Sequence, residues 1–328
     1  MSEQDDRNLA LELVRVTEAA ALMAGRWMGR GDKEAADQAA VDAMRLVLGS
    51  IAMDGVVVIG EGEKDEAPML YIGERVGCAD RPKVDIAVDP IDGTRLLALG
   101  MPNSVTTVAI AERGSLFSSP DIMYMEKIAV GPGAAGAIDL NDSVANNLAR
   151  VAEAKGMSMP DLTVVVLDRP RHEQIINDVR AAGARIKIIT DGDVAGAVMA
   201  AMPGTGIDML IGIGGAPEAV IAACALKCVG GDIQCRLWPR NDDERDTAKR
   251  NGIDLTRILS CDDLVASDNV FFAATGVTDG EMLRGVHYFG DGASTQSVVM
   301  RSRSGTVRIV DATHRLSKLR QYAAFPFD

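Results

Sequence analysis

The sequence predicts a layered α/β fold, on three observations. Apolar residues reach 47% while aromatics are only 4%, with Ala, Gly, Val and Met in their place. That composition suits helices packed closely on sheets better than an aromatic-rich β-sandwich. Short β-branched runs also alternate with helical periodicities along the chain. Finally, two of those runs lead directly into clusters of carboxylates, at the strand ends where α/β sheets usually place ligands.

The elements follow in order. Apolar residues at helical spacing (Leu9, Leu13, Val16, Ala20, Met23, Trp27) predict a helix over Asn8 to Met28. Gly29-Arg30-Gly31 breaks it, and Ala35 to Leu48 predicts a second. Val56-Val57-Val58-Ile59 is a short buried strand entering Gly60-Glu61-Gly62-Glu63. Val84 to Val88 is another, entering Asp89-Pro90-Ile91-Asp92-Gly93-Thr94, and Val105 to Ala111 is a third. Beyond Leu162 the texture becomes regular βα alternation: strand Val164 to Leu167, helix Glu173 to Ala182, strand Arg185 to Ile189, a further helix, then strand Met209 to Gly215. Arg240 to Ile253 reads as a charged surface helix or loop, and Val286 to Val310 as antiparallel strands turning near Ser304-Gly305. With 328 residues, the chain has room for two ordinary domains. The expected division is 1–160 and 161–328, with the boundary between Ala149 and Asp161 and the antiparallel strands at the end of the second domain.

A formal net charge of −13 argues against nucleic acid or an anionic membrane as partner. The five cysteines are scattered without a CxxC, and none of the three histidines lies near them in sequence. Reduced, mostly buried thiols are therefore expected rather than a zinc site. The start of the chain lacks the apolar core of a signal peptide, and no run approaches a membrane span, so the expected location is cytoplasmic.

The chemistry concentrates in Asp89-Pro90-Ile91-Asp92-Gly93-Thr94. Two carboxylates three apart at a strand end can grip a hard cation that keeps positions open for phosphate and water, and a hydroxyl follows to orient that water. As a string it is far rarer than an ordinary Asp/Pro/Gly turn. Gly60 to Glu66 adds an acidic loop at the other strand end. Alone it would be a solvated surface loop, but its position singles out Glu61. Asp37 lies early in a helix, where an Asp is commonly a helix-terminus charge, and spacing alone gives it no metal role. Asp191-Gly192-Asp193 suits sugar hydroxyls or a plain turn. Arg169 and Arg171 flank Pro170 at a strand end, where guanidinium groups suit a phosphate. Gly212-Ile213-Gly214-Gly215 could cradle an anion, although it lacks GxGxxG spacing and a Walker lysine. That absence argues against a nucleotide-dependent dehydrogenase.

These strings, in this order, resemble the class II (GlpX-type) fructose-1,6-bisphosphatases of the lithium-sensitive carbohydrate phosphatase superfamily. The resemblance runs through Gly29 to Lys33, Val58 to Glu63, Asp65 to Glu74, Asp89 to Arg95, Tyr124 to Lys127, Pro170 to His172, Asp191 to Asp193 and Gly212 to Glu218. It implies an αβαβα sandwich, commonly dimeric or tetrameric. It also implies metal-dependent (Mn2+ or Mg2+) removal of the 1-phosphate of fructose 1,6-bisphosphate, a gluconeogenic step giving fructose 6-phosphate. The alternative within the same chemistry is sedoheptulose 1,7-bisphosphate. A non-catalytic sugar-phosphate sensor is disfavoured because every expected acidic position is retained. The implied metal ligands are Asp37, Glu61, Asp89, Asp92 and Glu218. Implied substrate contacts are Asp92, Gly93, Thr94, Tyr124, Arg169, Pro170, Arg171, Asp191, Gly192, Asp193 and Gly215. Thr94, Asp65 and Lys33 are the implied catalytic residues, with Thr94 orienting the water and Asp65 accepting its proton. Two features depart from many relatives: Asp92 stands where they have Glu, and Asp121-Ile122-Met123 is one residue longer than their segment before Tyr124.

Overall fold

The structure is a computed structural model, and it describes residues 9–62 and 69–322. By backbone contacts these divide into two compact units, one formed by the two ends of the chain, the other by residues 115–267. The grouping differs from a split at 160/161. The last strands return to the sheet begun by the first hundred residues, a long-range pairing that chain order does not reveal.

The first unit begins with α1 (Leu9–Ala24), α2 (Lys33–Ser50), β1 (Asp54–Ile59), β2 (Arg75–Val76), β3 (Lys83–Asp92), α3 (Thr94–Leu99) and β4 (Val105–Glu112). The second contains β5 (Tyr124–Val130), α4 (Val144–Lys155), β6 (Thr163–Leu167), α5 (Glu173–Ala182), β7 (Arg185–Ile189), α6 (Asp193–Ala201), β8 (Met209–Gly215), α7 (Ala216–Val229), β9 (Asp232–Leu237), α8 (Asp242–Arg250) and α9 (Cys261–Leu264). The first unit then resumes with β10 (Phe271–Gly276), β11 (His287–Phe289), β12 (Gly292–Arg301), β13 (Thr306–Arg315) and α10 (Leu316–Tyr322).

The first unit carries an eight-stranded mixed sheet in the order β11-β12-β10-β4-β3-β1-β2, with β13 beside β12. Its parallel pair, β1 and β3, sits beside antiparallel β4. Leu13, Val16 and Ala20 of α1 and Met44 and Leu48 of α2 share one core with Val57, Ile86, Val108, Ile110 and Phe271 of the sheet. This is the spacing that made both helices legible. Asp32 caps α2 by accepting from the Ala35 N–H at 3.0 Å, satisfying a donor that the helix itself cannot.

The second unit has a five-stranded mixed sheet, β7-β6-β8-β5-β9, in which β6 runs parallel to both neighbours. Alternate strand residues point to opposite faces. Ile128, Val130, Val164, Val166, Met209 and Ile211 pack with Leu148 and Val151 of α4 and Val179 of α5. On the other face Gly196 of α6 lies against Val165 and Leu210. Both faces are covered, so these strands are continuous apolar runs rather than alternating ones. Cys224, Cys228 and Cys235 are buried, Cys261 is half-buried and Cys78 is exposed. No helix among the described residues is long and apolar enough to cross a membrane.

Candidate active site

In the first unit the acidic ends of β1 and β3 lie side by side. The strands are parallel with Ile59 level with Ala87, so Glu61 and Asp89 each lie two residues beyond a matched pair. Gly60 is required here because a Cβ would stand 2.0 Å from the Leu70 carbonyl oxygen. The loop after Glu61 is closed at its base, Leu70 O accepting from Glu61 N at 3.0 Å and Gly62 O from Ile72 N at 2.9 Å. Asp65 lies outside the described residues, as do Glu63 and Glu66.

β3 continues through the acidic string instead of stopping before it. Asp89 pairs with Thr107 and Asp92 with Val105, so β3 has one more residue than β4 across this step. Such a bulge re-aims the residues that follow. Asp89 Oδ1 accepts from the Ile91 N–H at 3.1 Å, fixing the turn. Asp92 is buried. Gly93 follows at φ 90°, a backbone that L side chains resist, and Thr94 opens α3. The Thr94 hydroxyl donates to the Ile91 carbonyl at 3.1 Å.

Asp37 reaches this acidic group from α2. The Gly29 and Gly31 N–H groups donate to Leu97 O and Ala98 O of α3, each at 2.9 Å, which ties the start of α2 to α3. Asp37 shares a hydrogen bond with Glu61, and burial pushes its carboxyl above the usual range. Two carboxyl groups in contact need a proton or a cation between them. Lys33 is exposed at the first position of α2, four residues before Asp37 and so on the same helix face.

The donor set of the first unit is purely carboxylate oxygen, which fits Mg2+ or Mn2+ and not a soft metal. Among the described residues no three His, Cys, Asp or Glu side chains already converge as a metal site. The fit therefore rests on donor chemistry and on the Asp37–Glu61 contact.

In the second unit the glycine-rich end of β8 is packed against side chains. A Cβ at Gly212 would lie 3.2 Å from the His172 ring, one at Gly214 2.1 Å from Asp193 Oδ2, and one at Gly215 1.7 Å from Glu218 Oε2. The glycines make room for these groups, which accounts for the run without an anion cradle. His172 is buried; its Nδ1 faces Leu167 O at 2.7 Å, and its Nε2 accepts from the Ile213 N–H at 2.7 Å. This pattern fits neutral imidazole with the proton on Nδ1, and burial pushes its pKa down accordingly.

Arg171 Nε and Nη2 both donate to Ile213 O, at 3.1 and 2.7 Å. Arg169 Nη1 donates to Asp168 O and Thr190 O at 2.8 and 2.9 Å, and its Nη2 lies 3.9 Å from Asp191 Oδ1. Tyr124 starts β5 opposite Gly215. Its ring meets the guanidinium groups of Arg171 at 5.1 Å and Arg240 at 5.5 Å, with the Trp238 ring 6.4 Å away. Gly192, at φ 84°, precedes Asp193 at the start of α6. Asp193 forms a 2.5 Å ion pair with Lys127. Glu218 sits in the first turn of α7 with its Oε2 shielded from solvent and without a hydrogen-bond partner. Burial raises the Glu218 pKa, as do the Asp193 and Asp191 charges, against the Lys127 ammonium.

In the first unit the structure thus sets Asp37 against Glu61 and places Asp89, Asp92, Gly93 and Thr94 on one turn at the neighbouring strand end. In the second it gathers Tyr124, Arg169, Pro170, Arg171, Asp191, Gly192, Asp193, Gly215 and Glu218. Sequence reasoning included Lys127 and His172 in the matched strings without giving either a role, and it missed Trp238 and Arg240 as parts of the second group. The signal for Lys127 was present: a lysine beside the apolar run Ile128-Ala129-Val130.

A model of the family described as bacterial fructose-1,6-bisphosphatase, glpX-encoded, matches residues 7–314. The chain is 47% identical over 327 residues to the fructose-1,6-bisphosphatase class 2 of Haemophilus influenzae, covering 96% of this chain and 98% of that protein. It is 46% identical over 325 residues to the fructose-1,6-bisphosphatase 1 class 2 of Escherichia coli K12, covering 95% of this chain and 96% of that one.

Proposed function

The chain belongs to the family of bacterial glpX-encoded fructose-1,6-bisphosphatases, and from that premise we propose that its hydrolysis of fructose 1,6-bisphosphate removes the 1-phosphate at the acidic ends of β1 and β3. The observation that carries this reading is the bulge in β3. It sets Asp89, a buried Asp92 and Thr94 on one short turn, with the Thr94 proton committed to Ile91 O.

Asp37, Glu61, Asp89 and Asp92 would hold divalent ions, Mg2+ or Mn2+, and the resemblance adds Glu218. Such ions, when bound, lower the pKa of a bound water and offset charge on the phosphoryl oxygens. The chain's own residues supply position. Because the Thr94 hydroxyl spends its proton on Ile91, its lone pairs remain to accept from the attacking water. That acceptor holds the water in line and turns its oxygen toward phosphorus. Asp65 is the group to which the resemblance gives the water's proton. Lys33, exposed four residues before Asp37, offers an ammonium to a phosphoryl oxygen.

The 6-phosphate is assigned to Arg169, Arg171 and Tyr124. Both guanidinium groups are held by main-chain carbonyls, so little side-chain entropy is lost when they receive an anion. Asp191 and Asp193 accept from sugar hydroxyls. Binding at these remote groups places the ester for reaction, which is how non-reacting contacts raise rate.

The test is phosphate release from fructose 1,6-bisphosphate and sedoheptulose 1,7-bisphosphate, side by side, with Mn2+, with Mg2+ and with EDTA. Release from the fructose ester that needs a metal and stops on chelation is the expected result. Equal release in EDTA would remove the metal assignment. Release of the 6-phosphate instead would reverse the proposed orientation.

A further inference from the structure

Lys127 is the most deeply buried cation described in the second unit, 2% exposed in the middle of β5. Lysine is almost never fully buried without a partner, and here it has several. Its Nζ lies 2.5 Å from Asp193 Oδ2 and donates to Gly215 O at 3.3 Å. It also feels the Glu218 charge. Three positions of the candidate site, on three elements, therefore meet one side chain to which neither the motifs nor the family resemblance gives a role.

The surrounding backbone is shaped for this side chain. A Cβ on Gly214 would fall 2.9 Å from Lys127 Cε and Nζ and 2.1 Å from Asp193 Oδ2. Gly192 at φ 84° turns the chain so that Asp193 enters α6 facing the ammonium. His172 and Arg171 fix Ile213, two residues before Gly215, through its N–H and C=O. The pair is thus set in a rigid frame of main chain rather than tethered on flexible loops.

We propose that Lys127 is a positioning residue of the reaction, holding the Asp193 carboxylate and the Gly215 carbonyl in the one arrangement that receives the sugar hydroxyls. It does not touch substrate; it acts through Asp193. The inference rests on the assignment of Asp193 to the substrate made above. A carboxylate with one oxygen tied to a buried ammonium presents the other oxygen in a fixed direction. Without the lysine, nothing holds Asp193 in that direction, and its grip on a hydroxyl weakens.

The test is a cycle of Lys127→Met, Asp193→Asn and the double variant in the full chain. kcat and KM for fructose 1,6-bisphosphate are measured at saturating Mn2+, alongside the melting temperature. Each single variant is expected to raise KM about 10- to 100-fold, the range lost with a charge-assisted hydrogen bond, and to change kcat far less. The double variant should be no worse than the worse single, because the two residues act as one unit. A merely structural lysine would lower the melting temperature and leave the KM of the folded enzyme unchanged, and that result overturns the proposal. Effects that multiply in the double variant overturn it too. Should Lys127→Met fail to fold, the double variant replaces the ion pair by neutral groups and is compared with Asp193→Asn: equal KM supports the proposal and a further rise sinks it. Wild-type KM in Asp193→Asn would instead remove the assignment of Asp193, and the proposal with it.

Discussion

Thr94 shows how much a single hydroxyl can be constrained by its neighbours. Its proton goes to Ile91 O, so the residue can only accept from a water, and acceptance is what an attacking water needs. Thr94→Ala should lower kcat by about a hundredfold, the lower end of what a well-placed proton partner supplies, with KM nearly unchanged. Thr94→Ser should keep most of the activity. Steady-state kinetics of the two variants check both statements. Glu18, on the inner side of α1, is a residue whose effect falls on stability instead. Burial raises its pKa from the ordinary 4.5 to about 7, against a hydrogen bond from Thr295. A carboxyl with a raised folded pKa holds its proton more tightly in the native state. Its contribution to stability is therefore intact below pH 4.5 and lost as pH climbs to about 7. The loss is about 3 kcal/mol at most for that shift. Glu18→Gln should be more stable than the wild type at pH 8 by up to that amount and indistinguishable at pH 4, as denaturant titrations at the two pH values would show.

Strand ends are where the fold turns into chemistry. Glu61 and Asp89 come side by side because β1 and β3 are parallel neighbours, and the bulge at Asp89–Asp92, where β3 runs on past the end of β1, then spaces the two aspartates. This part was legible in the sequence because it is local: an apolar run, then carboxylates, then a glycine and a hydroxyl. The end of β8 was not. Gly212 to Gly215 looked like a strand end able to cradle an anion, yet each glycine faces a side chain: His172, the Lys127–Asp193 pair, Glu218. A glycine in a sequence announces that a Cβ is unwelcome, not which atom excludes it. Lys127 was given no role for the same reason, since its partners lie on α6 and at the end of β8. Gly214→Ala tests the packing explanation. It should destabilise the protein by roughly 1–3 kcal/mol through overpacking and raise KM for the bisphosphate, while leaving the Asp37–Glu61 group untouched. A melting curve and a metal titration of the same variant separate the two effects. Gly→Ala at Gly183 is the control: nothing stands near its Cβ position, although its φ of 87° makes the change strained for a different reason.

At the scale of the chain, the two units differ in how they are made. Residues 115–267 are continuous and contain both their sheet and their core. The first unit is assembled from the two chain ends, and its sheet is continuous only because β4 pairs with β10, Val108 opposite Ala273. Expressed alone, a fragment of 115–267 should give a cooperative thermal transition by circular dichroism. A fragment of 1–114 should not, because β4 then ends the sheet with its long buried edge bare. Helices and strands within each unit could be read from periodicity, but the return of β10 to β4 could not. No local pattern encodes a partner more than 150 residues away in a chain of 328.

That closing pair also sets a timetable. On the ribosome the acidic strand ends emerge first, yet β4 must wait for β10 to be synthesised. The middle of the chain can fold in the meantime as an independent body. The part of the enzyme that carries Asp89, Asp92 and Thr94 is begun first and finished last. An interrupted or truncated translation product lacking β10 would therefore carry Asp37, Glu61, Asp89 and Asp92 without the completed sheet that aligns them.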